Sequence, residues 1–410
     1  MINKSEYKGL LLIAILSPLA ALIISAKRLN VPFLKLIIPL FYAFVGFTFQ
    51  VRGGSDISRT VEMFNEIKFL SFSKFLDKLT FQLDNFLTEG IEVFQFASSY
   101  FISLLTDDYR LLLMFYGLII GIFTVKVIQQ LLKFNEGNGV KVFIFFILIS
   151  LMPVWSINGR FWLATIILMY FLLKYFNQNF KIKFLIYGSL VIFIHQGYFF
   201  GVIFFFLWHF ISKFRARAII VYVIFSISLF FSTGFAVDYA KNAASNFGGK
   251  IEQQISGYVD DEFIEEMSNM GNSRSLIWRI YDLKNDLFYF TILFFSLLIT
   301  YFNKKTTSDA KFLFLVFLMI ASLSNFTIGI PNFGSRYRAV AAILGMIYIY
   351  SISNRFQLLK FGYLTKLIVP IFYFVFLVNL RYEFEQMNFF VIFSNIPLLF
   401  HHRQNPKANR

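Results

Sequence analysis

Apolar runs long enough to cross a lipid bilayer recur along the whole chain, and a water-soluble fold has no interior that could hold them all. A hydrocarbon core about 30 Å thick takes about 20 helical residues to cross. The stretches 8–25, 31–50, 110–132, 142–157, 161–176, 218–233, 286–302, 312–330, 339–353 and 367–380 meet that need or come near it. Weaker runs lie at 91–105 and 388–400. Residues 184–212 are too long for one ordinary span and are interrupted by His195-Gln196-Gly197, so they read as a helical hairpin turning on those three residues. Residues 8–25 lack a small-x-small cleavage site before Lys27 and more spans follow, which reads as a retained first helix. The expected fold is all-α: a single polytopic transmembrane bundle over 1–410 with about 11–14 membrane helices.

Charge placement orients the bundle. The net charge is +15, but the Lys and Arg stand in short clusters between apolar runs. That pattern is a topology signal and not a nucleic-acid groove. Loops 177–183, 213–217, 303–311, 354–366 and the segment 401–410 hold fourteen basic residues. The opposite short loops hold four: Arg160, Arg336, Arg338 and Arg381. The first set is therefore expected to be cytoplasmic. All four exceptions are Arg, the side chain suited to bidentate phosphate recognition.

Two loops exceed connector length. Loop 51–89 begins Val51-Arg52-Gly53-Gly54-Ser55-Asp56 and continues as an amphipathic stretch rich in Phe and Lys. Loop 234–285 mixes acids such as Asp260, Asp261 and Glu262 with Lys241, Lys250, Arg274 and Arg279. Both read as short amphipathic helices lying on the membrane face. Span counting leaves the side of loop 51–89 open. If every run crosses, the loop is inside; if 91–105 fails to cross, it is outside.

Polar residues beside apolar runs are the candidates for chemistry. Arg52 and Asp56 flank two glycines, with Arg52 placed to keep Asp56 ionised. Glu89 opens the next apolar run, where a helix N-terminus stabilises a carboxylate. Arg160 follows Asn158-Gly159 between two spans, and His195 sits at the hairpin turn. Arg336 and Arg338 stand two residues apart at a helix entrance, and Arg274 and Arg279 flank Ser275-Leu276-Ile277-Trp278. The chain has no cysteine, so disulfides and thiolate chemistry are excluded. It has no Walker loop, dinucleotide fingerprint, G-x-S-x-G elbow or H-E-x-x-H, and no carboxylate–His cluster with metal-ligand spacing. No cofactor or metal is therefore expected. What remains is the inventory for holding a phosphate and deprotonating a hydroxyl.

In chain order, these segments resemble a known family. The order runs Gly54-x-Asp56, Glu89-Gly90, Asp107-Asp108-Tyr109-Arg110, Asn158-Gly159-Arg160-x-x-x-Ala164, Ile194-His195-Gln196-Gly197 and Ser335-Arg336-Tyr337. It is similar to the EpsG/Wzy-type bacterial polysaccharide polymerases. That family often has Glu-Pro at Glu89-Gly90 and Arg-Gln at Arg160-Phe161. The resemblance implies inverting, metal-independent glycosyl transfer at the outer face of a bacterial inner membrane, with both long loops extracytoplasmic. The donor is a glycan on undecaprenyl pyrophosphate and the acceptor a lipid-linked repeat unit. Membrane lipid and a chain-length regulator protein are the implied partners. On this reading Arg160, Arg336 and Arg338, with Arg274, Arg279, Arg52 and Glu89, form the substrate and pyrophosphate site. Asp56 or His195 is the base, with His195 favoured because imidazole titrates near neutral pH. The alternatives are another membrane glycosyltransferase such as an O-antigen ligase, or a flippase or exporter for the same lipid-linked sugar.

A cysteine introduced at Ser55 of this cysteine-free chain tests the sidedness that this reading requires. It should react with a membrane-impermeant maleimide added to intact spheroplasts; labelling only after permeabilisation would remove Asp56 from the site.

Overall fold

The computed structural model describes residues 34–51, 56–85, 93–133, 160–230, 276–302, 308–328, 330 and 333–352, with isolated positions between 9 and 24 and between 370 and 381. The expected spans 142–157 and 388–400 and most of loop 234–285 lie outside the described residues. Every element among those residues is helical. They are α1 (Leu34–Thr48), α2 (Asp56–Ile67), α3 (Phe72–Asp84), α4 (Val93–Ser103), α5 (Tyr109–Leu131) and α6 (Arg160–Asn177). After these come α7 (Lys183–Ser189), which tightens into a 3-10 turn over Leu190–Phe193, then α8 (Tyr198–Ile211), α9 (Arg217–Phe230), α10 (Leu276–Phe302), α11 (Ser308–Phe326) and α12 (Phe333–Ile352). Residues 109–131 and 283–302 form helices long and apolar enough to cross a membrane. The hairpin expected at 184–212 is present, with its turn at Ile194–Gly197.

Close approach of backbones sets the first layer. A Cβ on Gly46 would lie 2.1 Å from the Leu113 carbonyl oxygen, and one on Gly117 the same distance from that of Tyr42. At Gly121 it would meet the Pro39 Cα at 2.5 Å. Small residues let α1 and α5 pack along their length, as helices do where apolar surroundings give no hydrophobic drive to associate. The pairs 46/113, 42/117 and 39/121 make α1 and α5 antiparallel.

Other contacts orient the remaining helices. Asn177 Nδ2 donates to the Gln130 carbonyl at 3.2 Å, so α5 and α6 end together. Lys174 lies over the Phe184 ring while Gly188 faces Leu168, so α7 runs back against α6. Tyr175 bonds His209 Nδ1 at 2.9 Å and Thr165 bonds Tyr198, which makes α8 parallel to α6. Thr300 and Tyr348 hydroxyls meet at 2.7 Å, and Ser324 donates to the Gly334 carbonyl at 2.9 Å. Hence α10 and α12 run in parallel, with α11 antiparallel to α12.

These directions sort the termini into two ends. The upper end gathers the C-terminus of α1, the start of α5, Arg160, the His195 turn and the start of α12. The lower end gathers Lys174, Lys181, Lys183, Lys213, Arg215, Arg217 and Lys311. Residues 51 and 56–85 leave α1 at the upper end, which is the outcome expected if 91–105 does not cross. Accordingly α4 is only 11 residues long, about 16 Å. It packs with α2 and α3 around Phe75, Phe96 and Tyr100 as a small cluster beside the main core. Amphipathic helices were expected in this loop, and α2 and α3 are those helices.

The outside of the bundle is apolar. Ile186, Leu190, Phe200, Ile203, Phe210, Ile219, Val223 and Leu229 are all exposed on α7 to α9, and Phe230 keeps 87% of its surface. Ser296, Ser322 and Ser324 are fully buried. A contiguous apolar exterior of this extent needs hydrocarbon or another partner against it.

Gly117→Leu should destabilise the folded chain by about 1–3 kcal/mol or more, because the side chain meets backbone that cannot yield. Gly9→Leu, with nothing within 4 Å of its Cβ, is the matched control. Thermal unfolding in detergent should separate the two; equal melting would mean α1 and α5 do not touch in this way.

Candidate functional site

Three elements bring Arg160, His195 and Arg336 together at the upper end. Arg160 is the first residue of α6, His195 lies in the turn before α8, and Arg336 is in the first turn of α12. Phe161 sits among them. Its ring stacks on Tyr198 with centroids 4.6 Å apart and meets His195 edge-on at 5.5 Å. The Arg336 guanidinium lies over the same ring, 5.6 Å from its centroid. Tyr337 closes the group edge-on at 6.0 Å. Tyr198 is in turn hydrogen-bonded to Thr165 one helical turn below Phe161.

The state of His195 follows from its neighbours. The Gly197 N–H donates to its Nδ1 at 3.0 Å, which places the ring proton of the neutral imidazole on Nε2. Burial pushes the imidazole down from 6.5 to about 3, and the positive charges of Arg336 and Arg160 push the same way. The imidazole is therefore held neutral, with its ring N–H as a donor. This differs from the expectation that it titrates near neutral pH: burial first, and then the two nearby arginines, disfavour the second proton.

A second correction concerns Arg338. It is committed to α10, where its guanidinium pairs with Asp286 and lies over the Tyr289 and Phe290 rings at 5.2 and 5.4 Å. The reason is helical geometry. Residues two apart on a helix are turned by about 200° and face opposite ways. Once Arg336 faces Phe161, Arg338 must face α10, so the pair expected to act as one anion clamp is split between two tasks.

The other predicted residues are placed less completely. Asp56 is the first residue of α2, on the upper side of the bundle, and Arg279 lies in the first turn of α10. Arg52, Glu89 and Arg274 lie outside the described residues. Asp108, from the third of the quoted motifs, caps α5 by accepting from the Arg110 N–H at 3.0 Å and pairs with its side chain.

Four residues of this region were given no role from sequence: Phe161, Tyr337, Gly201 and Asp286. Tyr337 stands in the quoted Ser335-Arg336-Tyr337 motif and Phe161 at the departure Arg160-Phe161, which marks both positions without giving them a task. Gly201 and Asp286 carried no signal, because a glycine and an acid beside an apolar run are each commonplace.

No protein-family model, curated protein or solved structure matches this chain. What the cluster can do rests on its geometry. Two arginines near a neutral imidazole, one of them held over the Phe161 ring, make this end of the bundle electropositive, which is chemistry suited to an anion.

Acid stability reports the state of His195. The folded chain leaves it neutral down to about pH 3, while the unfolded chain protonates it near 6.5. Across that window the unfolded state binds the extra proton, so the contribution to stability is complete above 6.5 and is lost as pH falls toward 3. His195→Gln should therefore lose less thermal stability on acidification through that window than the parent. Equal losses would show that His195 is already protonated or open to water.

Proposed function

We propose that this chain is a multi-pass bacterial inner-membrane glycosyltransferase of the polysaccharide-polymerase type, moving a growing glycan from undecaprenyl pyrophosphate to a lipid-linked repeat unit. The observation that carries this reading is the convergence of Arg160 and Arg336 on His195, at the end of the helices opposite the lysine-rich one. Positive loops belong on the cytoplasmic side of a membrane, and on this reading the arginine site faces out. The exposed apolar belt on α7 to α9 supports a lipid-embedded bundle. The order of short motifs that resembles the EpsG/Wzy-type polymerases supports the reaction class.

In this reading the donor pyrophosphate lies between Arg160 and Arg336, and the His195 Nε2–H donates to one of its oxygens. The acceptor hydroxyl oxygen attacks the anomeric carbon from the opposite face. The bond from that carbon to the pyrophosphate oxygen breaks, and the leaving group departs with its electron pair toward the guanidinium groups. Asp56 takes the acceptor proton, since His195 has no free basic nitrogen. On this reading the anion site is recessed below the headgroup level, and the shortness of α8 supports that: 14 residues span about 21 Å, against about 30 Å of hydrocarbon. A recessed site excludes water, which strengthens both guanidinium contacts.

Purified protein in liposomes, supplied with lipid-linked repeat units, tests the reaction. Arg336→Ala should lower polymer formation roughly a hundredfold or more, in the range of lost transition-state charge stabilisation. Arg336→Lys should fail nearly as badly, because a point charge loses the bidentate fork and the stack on Phe161. Full-length polymer from the Lys variant would sink the role given to Arg336.

A further inference from the structure

Tyr337 touches the backbone of another helix in a way that packing alone does not require. Its hydroxyl accepts from the Gly201 N–H at 3.0 Å and donates to the Gly197 carbonyl at 2.6 Å. Those are the two groups that the first turn of α8 pairs with each other, so one side chain of α12 clasps that turn. The clasp fits because residue 201 has no side chain. A Cβ there would stand 2.8 Å from the Tyr337 hydroxyl oxygen and 2.9 Å from its Cε1. Tyr337 is fully buried, held by Phe333 at 5.1 Å and by Phe161 at 6.0 Å.

The clasp leads directly to His195. Gly197, whose carbonyl takes the Tyr337 proton, gives its own N–H to His195 Nδ1. A Cβ on Gly197 would run into the His195 ring at 2.7 Å, so the turn is closed on the imidazole as tightly as glycine allows. The neighbours of Tyr337 in sequence do the rest. Arg338 ties this turn of α12 to Asp286 on α10, and Arg336 reaches into the site. One helical turn thus carries an anchor, a clasp and an anion ligand on three different faces.

We infer that Tyr337 is a positioning residue: it holds the His195 turn so that the imidazole N–H points where Arg160 and Arg336 hold the anion. The consequence for turnover rests on the polymerase reading; the consequence for the imidazole does not. Without the hydroxyl, the turn keeps its sequence and its helix but loses its fixed distance from Arg336. Donor binding by the two arginines remains, and the alignment of the third group is lost.

Two measurements on the full chain test this. In nitrogen-15 histidine NMR, the signal absent from His195→Gln identifies His195. The parent should show a single Nε2–H tautomer at neutral pH, and Tyr337→Phe a mixture of tautomers. In the liposome assay, per folded molecule, Tyr337→Phe should lower kcat about tenfold or more while KM for the lipid-linked substrate stays within about twofold, as expected of a misplaced group and not a lost binding contact. Gly201→Ala displaces the same hydroxyl, so the double variant should fall no further than the worse single one. An unchanged tautomer in Tyr337→Phe, an unchanged kcat, or effects that multiply in the double variant would each overturn the inference. If the parent forms no polymer at all, the proposed function fails and the NMR result still decides the role of Tyr337.

Discussion

The Phe161 ring is the contact on which the upper end depends. Arg160, His195 and Arg336 come from three separate elements, and an aromatic contact joins those elements. Phe161 does so by touching each of them: it stacks on Tyr198 of α8, meets His195 and Tyr337 edge-on, and lies under Arg336. Edge-to-face and offset aromatic pairs contribute about 0.5–1.5 kcal/mol each beyond the area they bury. A cation over a desolvated ring adds about as much again. Dispersion and quadrupole terms therefore contribute to holding the three elements in register.

The rest of the bundle makes that arrangement possible. Helices α1 and α5 are locked by backbone contact at Gly46, Gly117 and Gly121, which gives α6 a rigid surface to pack on. The short hairpin of α7 and α8 sits in the shelter of α6, α11 and α12, with Trp208 and Tyr198 fully buried. A charge-paired strut from Arg338 to Asp286 fixes α12 against α10. Among the described residues, the packing between the two ends is largely apolar, with small hydroxyls bonded to their own helix, as at Thr124 and Ser322, and a few cross-helix bonds, as at Thr165–Tyr198 and Thr300–Tyr348.

Much of the helical layout is legible in the chain because apolar length and loop charge are strong, additive signals. The runs at 110–132 and 161–176 begin and end within a residue or two of α5 and α6, and His195-Gln196-Gly197 marks a turn because a polar break in an apolar run has few other meanings. Span counting leaves the side of loop 51–89 open, and packing assigns it to an end of the bundle: Gly46 against Leu113 sets the C-terminus of α1 beside the start of α5, at the end that holds Arg160, His195 and Arg336. The site was half legible. Residue types named Arg160, His195 and Arg336, but helical phase separates Arg338 from Arg336, and only the fold shows which of the two faces inward. The shift of His195 is not legible in sequence, because it comes from burial and from two arginines brought near from positions 35 residues upstream and 141 residues downstream. Tyr337 stands in a quoted motif, but its role and that of Gly201 are not legible, because a hydroxyl that serves a backbone turn far away in sequence leaves no local pattern.

The central proposal is that the arginine-lined end of the bundle joins lipid-linked glycans into polymer. The most direct measurement is the glycan ladder of the producing bacterium after deletion of this gene, beside strains rescued with the parent and with Arg336→Ala. The account predicts collapse of the ladder to a core-plus-one-repeat band, restored by the parent and not by the variant. An unchanged ladder in the deletion strain would contradict it, and long polymer left unattached to the core would mean that the same site serves ligation instead.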